Sequence, residues 1–162
     1  MSVVFAVTGG TMRAESIGYP ETEPAFTIEI PDGWETMFDN RALKIGGPAD
    51  ALVMFQRVTD VKDDATAKKG LATLGEQAGK TFSMTDVAVT AEPAAAEVGK
   101  FKGLTSTYKG TDADGEDAVW SVTIFPATKG DYYLMTVVHP KKTAAESAAG
   151  RAALQASLTP AK

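Results

Sequence analysis

Apolar and polar residues alternate along several short segments of the chain, which is the pattern of strands with one buried face. Residues 26–30 form the first of these segments, and Pro31-Asp32-Gly33 supplies a turn after it. Two further strands are predicted at residues 34–39 and 42–45. Residues 52–58 are almost all apolar and rich in β-formers, which predicts a strand near the centre of the sheet.

A change to helical spacing follows. Between residues 64 and 80 the apolar positions recur every three or four residues, as in an amphipathic helix that Asp63 or Asp64 can cap. These positions are Ala67, Leu71, Leu74, Ala78 and Phe82. Three glycines interrupt the segment at positions 70, 75 and 79, and each costs about 1 kcal/mol relative to alanine. We therefore expect tertiary packing to hold this helix, with the glycines allowing close approach to the sheet.

The third quarter of the chain predicts an antiparallel meander. A strand at residues 85–90 is followed by a loop or bulge at 91–99 that contains Pro93. Alternation then returns in three successive segments separated by Asp114-Gly115 and by a second turn at 129–131. The three segments are residues 101–109, 118–125 and 132–138, the last closed by His139-Pro140.

A closing helix completes the predicted order. Thr143 and Glu146 have the spacing of a capping box, and the alanine-rich run after them reaches about Ser157, with Leu154 and Leu158 as large anchors. Strands and helices in this order predict an α+β fold, a single antiparallel β-sheet sandwiched between helices. We expect one domain at residues 25–160, preceded by a signal-like or disordered N-terminal segment at 1–24.

Composition restricts the kinds of partner and functional site that the chain can have. In the 162 residues, 16 Lys and Arg stand against 21 Asp and Glu, a net charge of −5 that argues against a nucleic-acid partner. The absence of cysteine excludes disulfides, thiolate metal sites and cysteine nucleophiles. A single histidine, His139, excludes multi-histidine metal sites and leaves one candidate base for a nucleophilic triad.

The first residues resemble the back half of a secretory signal. An apolar run at residues 3–7 is followed by small residues and by Met12-Arg13-Ala14. We hypothesise a translation start further upstream and cleavage near Ala14, which predicts a periplasmic or secreted protein. A leading strand or tail of a cytoplasmic protein is the alternative. No apolar stretch approaches the roughly 18 residues of a membrane span.

The acidic run at residues 111–117 and the single histidine, His139, each suggest a functional site that the surrounding sequence does not support. The acidic run at residues 111–117 invites calcium, but with Gly115 at the sixth position of an EF-hand loop the twelfth is Ser121 instead of glutamate. A polar hairpin tip is therefore favoured. His139 lies at a predicted strand end, with no G-x-S-x-G motif to supply an activated serine. We predict no catalytic, cofactor-binding or metal-binding residues and no enzymatic activity.

Aromatic side chains are the remaining candidates for an interface or pocket. Core packing accounts for most of them, and any exposed member marks a place for a partner. The set predicted as an interface or pocket is Trp34, Phe38, Trp120, Tyr132, Tyr133 and His139.

The segment FTIEIPDGW, from Phe26 to Trp34, resembles the opening strand and turn of the PsbP-like superfamily. The likeness covers roughly residues 25–158 and points to the DcrB-like bacterial branch, without that branch's anchoring cysteine. It implies an antiparallel sheet between helices and a protein that acts by binding other proteins, as a monomer or dimer.

Three functions stay open on the sequence. The first is a non-enzymatic, exported protein-binding or accessory domain of the bacterial envelope. The second is a cytoplasmic chaperone that shields a secreted client protein. The third is a small-ligand carrier or hydrolase that uses His139 or a pocket near Trp34 and Trp120.

Overall fold

The computed structural model describes residues 15–39, 41–127 and 130–162, so the signal-like residues 1–14 lie outside it. Ten strands and two α-helices follow one another in the described chain. The strands are β1 (Glu15–Tyr19), β2 (Phe26–Ile30), β3 (Glu35–Asp39), β4 (Ala42–Gly46), β5 (Leu52–Val58), β6 (Thr85–Val98), β7 (Phe101–Thr111), β8 (Asp117–Pro126), β9 (Tyr132–Pro140) and β10 (Thr159–Pro160). The helices are α1 (Asp64–Thr81) and α2 (Ala144–Ala156), and a short 3₁₀ turn spans Pro48–Asp50.

Seven strands form the larger sheet in the order β3-β4-β5-β9-β8-β7-β6. Every pairing in it is antiparallel, and β6 to β9 follow one another as the predicted meander. Strand β5 has the predicted bounds and pairs with β4 on one side and β9 on the other. The two edges of this sheet are β3 and β6.

The prediction of a single sheet is wrong, because β2 lies in a second sheet of three strands, β1-β2-β10. Strand β2 has the predicted alternation, with Phe26, Ile28 and Ile30 buried. That face packs on the larger sheet, so β2 covers the core instead of extending the sheet's edge. Alternation reports one buried face but does not say whether the strand lies beside a sheet or on top of it.

Each face of the larger sheet carries its own core. On one face the three-stranded sheet and α2 enclose a cluster that contains Phe26, Phe55, Phe125 and Leu154. On the other face α1 packs over β6, β7 and β8. Its buried residues meet Tyr108 and Trp120 there. The molecule is therefore layered, with the seven-stranded sheet in the middle.

Helix α1 begins and packs as its sequence predicts. The Asp63 carboxylate accepts a hydrogen bond from the Thr66 amide at 2.7 Å, and the Thr66 hydroxyl oxygen accepts one from the Asp63 backbone amide at 3.1 Å. A Cβ atom at Gly75 would lie 2.2 Å from the Tyr108 ring, and one at Gly79 would lie 2.9 Å from Trp120. Both glycines thus allow the close approach that we expected, whereas Gly70 meets only Leu74, at 4.0 Å.

One local prediction is confirmed in part, and two need correction. Of the two alternatives predicted for residues 91–99, a loop or a bulge, the bulge forms: residues 91–98 continue strand β6, with register shifts between Val89 and Ala91 and between Ala91 and Ala94. Thr143 makes no side-chain cap on α2, and its hydroxyl points instead to the Ala49 carbonyl oxygen at 3.4 Å. Residues 15–19, expected within the signal-like or disordered N-terminal segment, form β1 against β2.

Within the described part of the chain, no helix combines the length and the apolar character that crossing a membrane requires.

Candidate functional site

Two of the six candidate residues belong to the core. Trp120 is fully buried, stacks on Tyr108 with ring centroids 5.6 Å apart, and donates its indole N–H to the Gly75 carbonyl oxygen at 3.0 Å. Tyr133 is buried among Tyr19, Phe26 and Phe125, and this burial raises its pKa. Both rings are therefore packed within the fold, and the Trp120 N–H is also paired there, so neither ring lies at the surface for a partner.

Trp34 lies in a slot between two glycines. A Cβ atom would lie 2.6 Å from its ring at Gly47 and 2.5 Å from its indole nitrogen at Gly150. The side chain is half-buried and packs against the core beside α2. It therefore connects the turn after β4 to α2 and has a structural role.

His139 and Tyr132 lie at opposite ends of β9. His139 is half-buried, with Nδ1 3.1 Å from the Pro140 carbonyl oxygen, and desolvation holds its pKa below the usual range. Tyr132 packs against the α1-side core, and its pKa is raised by burial and by Asp64 and Asp63. The sheet thus keeps these two candidates far apart along one strand instead of combining them in one site.

Phe38 is the candidate that the structure leaves most open. It lies on edge strand β3, where every residue is exposed, and 36% of Phe38 and 59% of its neighbour Met37 are accessible. The register places Phe38 opposite Leu43 and Met37 opposite Lys44, so the two side chains project from opposite faces of the sheet. An edge strand also presents unpaired backbone groups, which another chain can extend by β-pairing.

A cleft of about 240 Å³ lies beside Phe38. Its walls are Tyr19, Pro20, Glu21, Thr22, Phe38, Asp39 and Arg41. The Tyr19 hydroxyl donates to the Arg41 carbonyl oxygen at 3.0 Å, and burial raises the pKa of Tyr19 to about 12. Tyr19 was not among the sequence-predicted candidates, because it lies in the segment expected to be signal-like or disordered. We call Met37, Phe38 and this cleft the β3 surface.

The opposite edge is built differently. Strand β6 also carries exposed apolar side chains, Val87 and Val89. However, Pro93 and several register shifts interrupt its pairing, and these are devices that block edge-to-edge association. Val87 also lies close to α1, because a Cβ atom added at Gly79 would lie 3.4 Å from its side chain. Strand β3 pairs with β4 in unbroken register, so it is the better template for an added strand.

The acidic hairpin is the polar tip that the sequence favours. Oδ1 of Asp112 accepts hydrogen bonds from the amides of Asp114 and Glu116, both at 2.9 Å, and Gly115 adopts a φ of +82°. The carboxylate thus closes its own turn. Among the residues described, no group of three or more histidine or acidic side chains has a metal-binding arrangement.

Comparison with solved structures identifies the fold. The chain is similar to cyanobacterial PsbP (CyanoP) from Synechocystis sp. PCC 6803, with a TM-score of 0.61 at 12% identity over 96% of this chain and 98% of that one. The chain has the PsbP-like fold. The Ran-binding protein Mog1p of Saccharomyces cerevisiae gives 0.59 at 11% identity, covering 93% and 96% of the two chains. LpqN of Mycobacterium tuberculosis, involved in cell envelope biogenesis, gives 0.60 at 13% identity and 91% coverage of both.

A Bacteroides thetaiotaomicron structure is also similar, with a TM-score of 0.59 at 14% identity over 93% of this chain. The chain spans only about half the length of that protein, 50%. No protein-family model matches the sequence, and no curated protein does. At these identities the PsbP-like comparison establishes the fold, and the DcrB-like branch stays a prediction.

Proposed function

We propose that the chain is a non-enzymatic, exported accessory domain of the bacterial envelope that binds a protein partner through the β3 surface. The observation that carries this proposal is the edge strand β3, regular in register, exposed along its whole length and bearing Met37 and Phe38. An extended segment of the partner would add to β3 by main-chain hydrogen bonds, while the cleft beside Phe38 selects its side chains.

Neighbouring structures support a binding role. Mog1p is a Ran-binding protein, so the fold serves protein recognition in at least one case. LpqN is involved in cell envelope biogenesis, which agrees with the location proposed here. The signal-like pattern at residues 3–14 supports export from the sequence side.

The surroundings of His139 support a non-enzymatic role. A general base needs a reacting group within hydrogen-bond reach and a pKa suited to proton transfer. The hydrogen-bond partner of Nδ1 is the Pro140 carbonyl oxygen, and among the described residues no hydroxyl or carboxylate oxygen is hydrogen-bonded to the ring. No described nucleophile is therefore held in place for this histidine to activate.

Affinity purification from cells of the source organism tests the binding site. Phe38→Lys should abolish recovery of a partner that copurifies with the wild type, because it places a charge in the centre of the β3 surface. Val89→Lys, on the other edge, is the matched control and should leave recovery unchanged. Equal loss in both variants, or in neither, would refute the assignment to β3.

Mass spectrometry of the N-terminus in separated cell fractions tests export. A start near Glu15 in the extracytoplasmic fraction is expected. An intact Met1 or Ser2 start in the cytoplasm would contradict export and would favour a chaperone for a secreted client.

A further inference from the structure

The negative charge of the chain is concentrated around its first four strands. Residues 15–47, which contain β1 to β4, hold seven acidic and two basic side chains, whereas residues 48–162 hold 14 acidic and 13 basic ones. The acidic excess in residues 15–47 therefore equals the net charge of −5 of the whole chain. All seven acidic residues are exposed, and they are Glu15, Glu21, Glu23, Glu29, Asp32, Glu35 and Asp39.

Three of these carboxylates lie at the β3 surface. Glu35 and Asp39 are on β3 itself and project from the same face as Met37, since side chains two residues apart share a face of a strand. Glu21 belongs to the wall of the cleft beside Phe38. The exposed apolar side chains of β3 thus lie among carboxylates.

The cations of the chain compensate only part of this charge. The Lys44 ammonium lies 2.7 Å from the Asp39 carboxylate, and this pairing holds the pKa of Asp39 below its usual range. Arg41, in the wall of the cleft, forms no ion pair with any described residue, and neither does Glu21 or Glu35. Two carboxylates at this surface are therefore available to a cation from outside the chain.

The same charges disfavour a second copy of the chain as the strand that pairs with β3. An antiparallel pair of β3 strands centred on Met37 would place Glu35 of each copy opposite Asp39 of the other. Like charges directly opposite each other destabilise a sheet, whereas opposite charges stabilise it. A homodimer through this edge would form two repulsive pairs, and a basic strand would form attractive ones.

We propose that β3 pairs with a basic extended segment of the partner protein, in which Lys or Arg lies two positions from an apolar residue. This partner chemistry rests on the proposed function, because it describes the segment that adds to β3. A basic side chain opposite Glu35 forms an opposite-charge cross-strand pair, and an apolar side chain opposite Met37 covers its exposed surface. The backbone of β3 supplies main-chain pairing, and the charges select the sequence.

Selection from a phage-displayed library of random segments of about nine residues, the length of a long strand, tests the proposal on the whole chain. Bound clones are sorted by whether they also bind Phe38→Ser, a variant that removes the aromatic ring without changing the charge. Clones that need Phe38 should contain Lys or Arg two positions from an apolar residue about three times as often as the unselected library does.

The outcomes of the selection separate the partner chemistry from the binding site. Clones that need Phe38 but show no excess of Lys and Arg would overturn the basic segment and leave binding through β3 intact. Absence of any clone that needs Phe38 would refute binding through β3 itself, and the basic segment with it.

Charge reversal with a matched control measures the contribution of Glu35. Glu35→Lys should weaken the binding of a selected basic peptide about fivefold, because attraction between the paired strands becomes repulsion. Glu92→Lys makes the same change at an exposed position of the other edge strand, β6, and should leave the affinity unchanged. Fluorescence anisotropy of the labelled peptide measures both affinities. Unchanged binding by Glu35→Lys, or equal weakening in the two variants, would overturn the proposal.

Discussion

At the scale of single residues, glycines determine how the large aromatic side chains fit. Gly75 admits the Tyr108 ring beneath α1 and accepts the indole hydrogen bond of Trp120. Gly47 and Gly150 form the slot for Trp34 on the other side of the sheet. The sequence alone could predict that α1 needs close packing, since helices rarely contain three glycines. It could not say which glycine meets which ring, because that depends on the register between α1 and the sheet.

Two glycines of α1 form a matched pair. Gly75→Ala should destabilise the protein by about 1–3 kcal/mol, because its Cβ would overlap the Tyr108 ring. Gly70→Ala should stabilise it by about 0.5–1 kcal/mol, since only the far end of Leu74 is near and alanine favours the helix. Denaturant unfolding of both variants measures the two effects. Similar free energies of unfolding would contradict the packing described here.

The two buried threonines make a second pair. Thr123→Val removes the hydrogen bond to Thr105 and should lower the free energy of unfolding by about 1 kcal/mol. Thr136→Val removes a hydroxyl that has no partner in the chain, so its stability should equal or exceed that of the wild type. Thermal unfolding compares the two variants. A larger loss for Thr136→Val would show that its hydroxyl is satisfied within the fold.

His139 gives a prediction about pH. Burial lowers its folded-state pKa below the usual 6.5, so the unfolded chain binds the proton more readily than the folded one. The neutral His139 ring makes its full contribution to the free energy of unfolding above pH 6.5. That contribution is lost as the pH falls from 6.5 toward the folded-state pKa. The wild type should therefore lose stability relative to His139→Gln as the pH falls through this range, and the same pH dependence of both free energies of unfolding would contradict the burial of the ring. As the only histidine, it can also be titrated directly by nuclear magnetic resonance.

At the scale of elements, the periodicity of the sequence predicts most of the strands and helices that form, but it predicts less of how they are arranged in the fold. The bounds of β5, the start of α1 and the succession of β7, β8 and β9 follow from spacing and turn residues. The sequence predicts a strand only at residues 85–90, whereas β6 extends to Val98. Pro93 indicates the end of a strand unless that strand lies at the edge of a sheet. The spacing of Thr143 and Glu146 predicted a cap that the nearby Ala49 carbonyl oxygen displaces.

Strand β3 shows the same limit for the candidate site. Alternation identified it as a strand, but its place at an exposed edge depends on β4 and β5 pairing inward. We predict that Met37→Lys, at a position that is 59% accessible, changes the free energy of unfolding by no more than about 0.5 kcal/mol, and that Phe38→Lys, at 36%, lowers it by no more than about 1.5 kcal/mol. Thermal unfolding checks this. A large loss of stability would mean that these side chains serve the fold and not a partner.

At the scale of the whole molecule, the larger sheet is covered on one face by the three-stranded sheet and α2 and on the other by α1. This arrangement gives the candidate aromatic residues different environments. Trp120 and Tyr133 lie in the two cores, Trp34 joins α2 to the turn after β4, and Phe38 stays at the surface. The sequence could name these residues as candidates but could not divide them, because each aromatic fits a core and an interface equally well. The second sheet determines which aromatic residues are buried on one face of the larger sheet. The alternation of β2 would be the same whether β2 extended the larger sheet or packed on top of it.

The most direct measurement of the central claim is photo-crosslinking in living cells of the source organism. A photoreactive amino acid replaces Met37 in one strain and Val89 in another, so that each edge of the larger sheet carries one probe at an exposed position. The account predicts a discrete protein adduct from position 37 and none from position 89. No adduct from position 37, or the same adduct from both positions, would contradict binding through β3.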